Sequence, residues 1–184
     1  LYDLGVKHPG WVRFWRVVCD VFSPTTFRLL AAPAIVVALA RREVRTALFL
    51  VISVELSGIV TEVAKELAHR PRPTTALAAA HSSSFPSGHA MGVMVGVLAL
   101  GLTLGTVLRP LLSHSLGVVA AAVGALVVLA VGFGRVALNA HHPSDVLAGW
   151  ALGYLYFAVC AWVVRPSAPR QATGGRDAPE SGSV

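Results

Sequence analysis

Charge is what this sequence has least of. Only 13% of its 184 residues are Asp, Glu, Lys or Arg, where a soluble domain carries about 25%. With 55% of residues hydrophobic, the composition argues against a domain bathed in water on all sides. Cysteine is scarce too: Cys19 and Cys160 are the only two, and two such distant thiols make no disulfide framework and do not identify a compartment. There is no stripe of Lys and Arg with interleaved aromatics outside the apolar blocks, which argues against a nucleic-acid partner. Residues 1–25 lack the pattern of a signal peptide. The chain opens on Leu1 rather than Met, and an additional span ahead of it is expected.

What the sequence does have is long apolar blocks near the roughly 20 residues that cross a bilayer as a helix. Five are visible: 25–40, 46–64, 90–108, 116–133 and 146–164. The last three contain no charged residue. The first contains Arg28 and Pro33, and a proline is tolerable where neighbouring helices satisfy the freed carbonyl. The expected fold is therefore all-α, a polytopic transmembrane helical bundle with five visible spans. Ahead of it, residues 1–24 alternate Trp11, Phe14, Trp15 and Phe22 with Lys7, Arg13 and Arg16, as an interfacial amphipathic segment does. Residues 25–165 would form the membrane domain, and the Pro-, Gly- and Ser-rich tail 166–184 a disordered terminus. Glycines at 88, 92, 96, 101, 105, 149 and 153 recur near four-residue spacing, which lets membrane helices approach closely.

Polar residues are expensive in such a setting and mark where function lies. The second span carries Glu55, Glu62, Lys65, Glu66 and His69 at spacings that place them on one helix face. Three clusters interrupt the spans: Lys65 to Pro73, residues 82–90, and residues 134–145. Antiparallel spans with short links bring all three to one end of the bundle. That end gathers Lys65, Arg70, Arg72, His81, His89, Arg135, His141, His142 and Asp145. The other end receives Arg41, Arg42, Arg45, Arg109 and Arg165.

Converging guanidinium and ammonium groups suit a multiply charged anion, Arg as a forked donor and Lys as a point charge. Gly88, at a helix start after Pro86, lets backbone N–H groups approach phosphate oxygens. Two histidines can share a phosphoryl transfer, one neutral and attacking phosphorus, the other protonating the leaving oxygen. Asp145, four residues after His141, is placed to orient its ring. A zinc site built from His89, His141, His142 and Asp145 is disfavoured, because the surrounding cations repel a divalent ion and one carboxylate is present. No metal or other cofactor is expected.

These residues resemble the three-part signature of the type 2 phosphatidic acid phosphatase superfamily, shared with vanadium haloperoxidases and bacterial acid phosphatases. The parts are Lys65 with Arg72 and Pro73; Pro86, Ser87, Gly88 and His89; and Arg135, His141 and Asp145. The resemblance covers about residues 44–164. It implies that Lys65, Arg72, Ser87, Gly88 and Arg135 bind phosphate. It implies that His141 is the nucleophile of a phosphohistidine intermediate, that His89 is the general acid and that Asp145 orients His141, without a metal. It also implies six spans where five are visible. One position departs: Gly134 stands where the family has serine, so one hydroxyl is missing, a loss of about 0.5–1.5 kcal/mol for a neutral hydrogen bond.

The expected activity is hydrolysis of a lipid phosphate or diphosphate, with polyprenyl diphosphate, phosphatidylglycerol phosphate and phosphatidate all open. The bilayer and the lipid phosphate are the expected partners. Arginines at the far end argue for a cell membrane with the site on the extracytoplasmic side. A transporter or channel for a phosphate-bearing anion, and an inactive scaffold, are the alternatives.

Overall fold

The computed structural model describes residues 2–77, 83–108 and 113–166. His81, Arg109 and the tail beyond residue 166, on which expectations were placed, lie outside the described residues. Among the described residues eight α-helices run α1 Tyr2–Lys7, α2 Pro9–Val21, α3 Pro24–Ala40, α4 Val44–Leu50, α5 Ser57–Ala68, α6 Gly88–Leu108, α7 His114–Ala137 and α8 Pro143–Val164, with a π-turn, Val51–Glu55, joining α4 to α5. Among the described residues there is no strand. Five helical stretches of the described residues are long and apolar enough to cross a membrane: Pro9–Ala40, Val44–Ala68, Gly88–Leu108, His114–Ala137 and Pro143–Val164.

Each expected span is present, extended by a few residues where local chemistry caps the helix. Ser23 caps α3, accepting from the Thr26 N–H at 3.3 Å, with Pro24 in the first turn. Ser113 caps α7 through the Leu116 N–H at 3.3 Å. At the start of α8, Pro143 follows His142, and Asp145 Oδ2 accepts from the His142 N–H at 2.8 Å. Such caps satisfy N–H groups that have no partner within the helix.

The outer surface is apolar: Leu29, Leu30, Val36, Leu126, Leu155 and Trp162 are all more than half exposed. Lipid solvates such groups, so burial inside a bundle is left to close-packed contacts and to the polar groups that lipid rejects. The first helix of the segment expected at the membrane interface is short, while α2 docks against the end of α7. There Cys19 is fully buried, and Trp15 stacks edge-on against Phe133 with centroids 4.9 Å apart. At 13 residues and about 1.5 Å per residue, α2 does not cross a bilayer alone.

Helix α6 is the centre of the bundle, touching α3, α5, α7 and α8. Glycine makes two of these approaches possible. A Cβ on Gly149 of α8 would stand 2.6 Å from the Ser87 carbonyl, and one on Gly153 would stand 2.8 Å from that of Met91. Gly92 and Gly96 likewise face Pro24 and Phe27 of α3. The order of these contacts makes α3, α6 and α8 parallel, all starting at the same end. Among the described residues nothing lies within 4 Å of a Cβ built on Gly101 or Gly105, so the close packing expected of them is not found there. The small-residue seam stops midway along α6.

The charged residues of the second span share a face as expected, but the expectation that this face turns inward needs correction. Glu55, Glu62 and Glu66 line a lateral groove of about 430 Å³ together with Arg28 of α3. Lys65, its side chain 13% exposed, borders this groove: its Nζ reaches Glu62 Oε1 and lies 3.7 Å from where a Gly88 Cβ would be. The face expected to turn inward is therefore partly open, with Glu62 62% exposed.

Candidate active site

The three polar clusters do meet at one end, and main-chain hydrogen bonds stitch them together. The first loop, leaving α5 through His69 in a left-handed conformation (φ 45°), lies along the second. Ser84 N–H donates to the Arg70 carbonyl at 2.8 Å, Arg70 N–H to Ser83 Oγ at 3.1 Å, and Ser84 Oγ to the Pro71 carbonyl at 3.0 Å. The same loop is tied to the third cluster: Leu77 N–H donates to the Leu138 carbonyl at 3.0 Å, and Asn139 donates through Nδ2 to Thr75. The second joins the third through Ser87 N–H to the Asp145 carbonyl at 2.9 Å. Buried backbone groups need partners, and here they find them between segments far apart in sequence.

His141 sits at the junction, 3% exposed. Its Nδ1 is 2.7 Å from the Ser84 carbonyl, and its Nε2 is 3.3 Å from Arg72 Nη1. A carbonyl accepts and a guanidinium only donates, so both contacts select the same tautomer: hydrogen on Nδ1, lone pair on Nε2. Burial first, then the positive charges of Arg135 and Arg72, push the imidazole down to about 3, with the Ser84 carbonyl pulling the other way. His141 is therefore neutral at physiological pH, as a nucleophile needs to be.

Asp145 is fully buried, yet its closest approach to His141 is 3.6 Å, from Oδ2 to Nδ1. Its hydrogen bonds go elsewhere, Oδ1 to Arg70 Nη1 at 2.8 Å and Oδ2 to the His142 N–H at 2.8 Å. The direct acceptor for His141 is the Ser84 main chain, which no side-chain motif in the sequence can announce. Arg70 also reaches Ser144 Oγ at 2.8 Å. It serves as the counter-ion of the buried carboxylate and a cross-link between the first and third clusters.

The remaining residues surround this centre. Arg72 Nη1 also donates to the Ala140 carbonyl at 2.9 Å. Burial and the like charge of Arg135 lower its pKa from the usual guanidinium value, while Asp145 raises it. Arg135, 9% exposed, has a buried Nε without a hydrogen-bond partner among the described residues. His89, in the first turn of α6, has Arg135, Lys65 and Arg72 as electrostatic neighbours, and it acts in turn on His141. Lys65 Nζ contacts Glu62 Oε1 at 2.7 Å. Gly88 faces Thr61 and Lys65, where a Cβ would come within 3.0 Å of Thr61 Cγ2. Ser87 is fully buried, and its Oγ accepts from the Ala90 N–H at 3.4 Å, capping α6. Among the described residues no three of His, Cys, Asp and Glu converge as a metal-ligand set. The His142 backbone N–H donates to Asp145 Oδ2 at 2.8 Å.

Five helical stretches of membrane-crossing length, with two imidazoles and several cationic side chains gathered at one end, are the architecture of a polytopic membrane protein. Comparison with known proteins agrees: residues 46–168 match the PAP2 superfamily, and the chain belongs to that family. It is 29% identical over 141 residues to an undecaprenyl-diphosphatase of Sulfolobus acidocaldarius, a match covering 73% of this chain and 59% of the relative. It is 39% identical over 100 residues to phosphatidylglycerophosphatase B of Bacillus subtilis, covering 54% of this chain and 48% of the relative. The chain thus spans about half the length of these curated relatives. The crystal structure of a transmembrane PAP2-type phosphatidylglycerolphosphate phosphatase from Bacillus subtilis superposes with a TM-score of 0.70 at 26% identity, over 86% of this chain and 78% of that one.

Proposed function

We propose that this protein is a lipid phosphate phosphatase that works through a phosphohistidine on His141, without a metal or other cofactor. The observation that carries the reading is the pinned tautomer of His141, whose Nε2 lone pair opens beside Arg72. Arg72, Arg135 and Lys65, with Ser87 and the Gly88 amide, hold the phosphoryl oxygens and offset the charge that grows on them during transfer. Nε2 attacks phosphorus and the bond to the lipid oxygen breaks. His89, protonated, gives its proton to that oxygen. Water then attacks the phosphohistidine, His89 takes one of its protons, the P–N bond breaks and inorganic phosphate leaves.

Several features support a lipid substrate. The site lies where spans meet the membrane surface, so a headgroup can reach the cations while its tail stays among helices. The two curated relatives carry names for different lipids, a polyprenyl diphosphate and a phosphatidylglycerophosphate. Polyprenyl diphosphate is the preferred substrate within this reading, with phosphatidylglycerol phosphate and phosphatidate as the other members of the class. Arg41, Arg42, Arg45 and Arg165 at the far end favour a cell-membrane orientation with the site outside.

The test is a panel of these lipids assayed in detergent, with and without chelator, for the wild type and His141→Ala. Phosphate release that survives EDTA and vanishes in the variant is expected, as is acid-labile labelling from a radioactive lipid phosphate. Release that needs added metal, or that persists in His141→Ala, overturns the mechanism.

A further inference from the structure

Gly134, the position at which the third motif departs from its family's pattern, is filled from outside the motif. A Cβ built there would lie 2.8 Å from Cys19 Sγ and 3.0 Å from Trp15 Cε3, both on α2. Cys19 is fully buried, and its thiol points at the Val131 carbonyl, 3.9 Å away and one turn before Arg135 on α7. The Arg135 guanidinium stands beside the same sulfur. So the residue that follows Gly134 is held against a side chain contributed by a helix outside the stretch matching the family, 46–168.

We propose that Cys19 is a positioning residue for Arg135: its thiol occupies the side-chain space of position 134 and forms the wall that aims the guanidinium at the phosphoryl site. The inference rests on the phosphatase reading. A thiol suits this place for two physical reasons. It is small enough to let α2 and α7 approach at a glycine. It is also a weak hydrogen-bond acceptor, so even in contact with the guanidinium it leaves the buried Arg135 Nε–H, without a hydrogen-bond partner among the described residues, for an anionic oxygen. The role expected of a hydroxyl at position 134 is thereby replaced by packing. On this reading α2 is part of the catalytic architecture and not only an anchor at the membrane surface.

The experiment compares full-chain wild type, Cys19→Ala, Gly134→Ser and the double variant in detergent. It measures KM and kcat for a lipid phosphate, the inhibition constant of orthovanadate, and thermal unfolding. For Cys19→Ala, KM and the vanadate constant should both rise about threefold to tenfold, with a smaller change in kcat, because a loosened Arg135 weakens oxygen binding in ground and transition states alike. Gly134→Ser should lose at least about tenfold in kcat/KM, since displacing Arg135 by a fraction of an ångström is costly in a positioned site. The double variant should regain activity towards that of Cys19→Ala, because only the 3.0 Å Trp15 contact remains to be relieved. Cys19→Ala with unchanged KM and vanadate constant, or a double variant no better than Gly134→Ser, overturns the inference while leaving the phosphatase reading intact. A wild type that neither releases phosphate nor binds vanadate removes both.

Discussion

The hydrogen on His141 Nδ1 belongs to the main-chain carbonyl of Ser84, at 2.7 Å, and not to Asp145, whose nearest oxygen stands 3.6 Å away. This separates two jobs that a His–Asp pair can combine. The backbone of the second motif fixes the tautomer, while the carboxylate anchors Arg70 and the start of α8.

Asp145→Asn should therefore be a milder lesion than removal of a triad carboxylate. With the tautomer still held by Ser84, the loss in kcat is expected to be about tenfold to a hundredfold, against about 10⁴ where the carboxylate alone sets the tautomer. Steady-state kinetics on a lipid phosphate decides it, and a loss as deep as that of His141→Ala would return the orienting role to Asp145.

Arg70→Ala leaves the fully buried Asp145 without its counter-ion. Because Arg70 is itself 39% exposed, the cost is expected at about 1–3 kcal/mol, below that of breaking a wholly buried pair. Thermal unfolding in detergent should show it, with Arg70→Lys falling between the two. An unchanged melting point would mean that water replaces Arg70 at no cost.

The pH dependence follows from His141. Its folded-state value of about 3 lies below the value of about 6.5 expected in the unfolded chain. Between those limits the unfolded chain binds more protons, so stability is fully present above about pH 6.5 and is lost progressively as pH falls towards 3. For activity, kcat/KM reports the free enzyme, so protonation of His141 should leave it undiminished at pH 6 and contribute an acid limb only near 3. A His141-dependent limb centred at 6.5, followed by NMR of the labelled imidazole alongside rates, would contradict its burial among cations.

Two glycine substitutions on the bundle's axis should behave oppositely. Gly149→Ala forces a Cβ to within 2.6 Å of the Ser87 carbonyl, which should cost about 1–3 kcal/mol as overpacking and displace Ser87 and Asp145 together. Gly101→Ala meets nothing within 4 Å among the described residues and should be neutral or stabilising by up to about 1 kcal/mol through helix propensity. Paired unfolding and activity measurements separate the seam from the rest of α6.

Read as sequence, the chain disclosed its spans and its cationic end because both are one-dimensional properties. A membrane-crossing helix needs an unbroken apolar run, and polar residues between such runs have to gather at the two bundle ends. Lys65, Arg72, His89, Arg135, His141 and Asp145 could be assigned to one end for that reason alone. The role of Gly134 was less legible, since an absent side chain says nothing about what fills its place. Which way the charged face of the second span turns was hidden too, because helical spacing groups Glu55, Glu62 and Glu66 without saying that they open beside Arg28 of α3.

What the sequence determined by itself, then, was how many times the visible chain can cross a membrane and which polar residues share a side. Hydrophobic length and parity of crossing need no coordinates. Only the tertiary structure decided which atom holds His141, that Arg70 answers the charge of Asp145, and that α2 supplies the wall beside Arg135. Those are contacts over 57, 75 and about 115 residues of chain. Hydrogen-bond direction and close packing are properties of juxtaposed surfaces, which linear order does not encode.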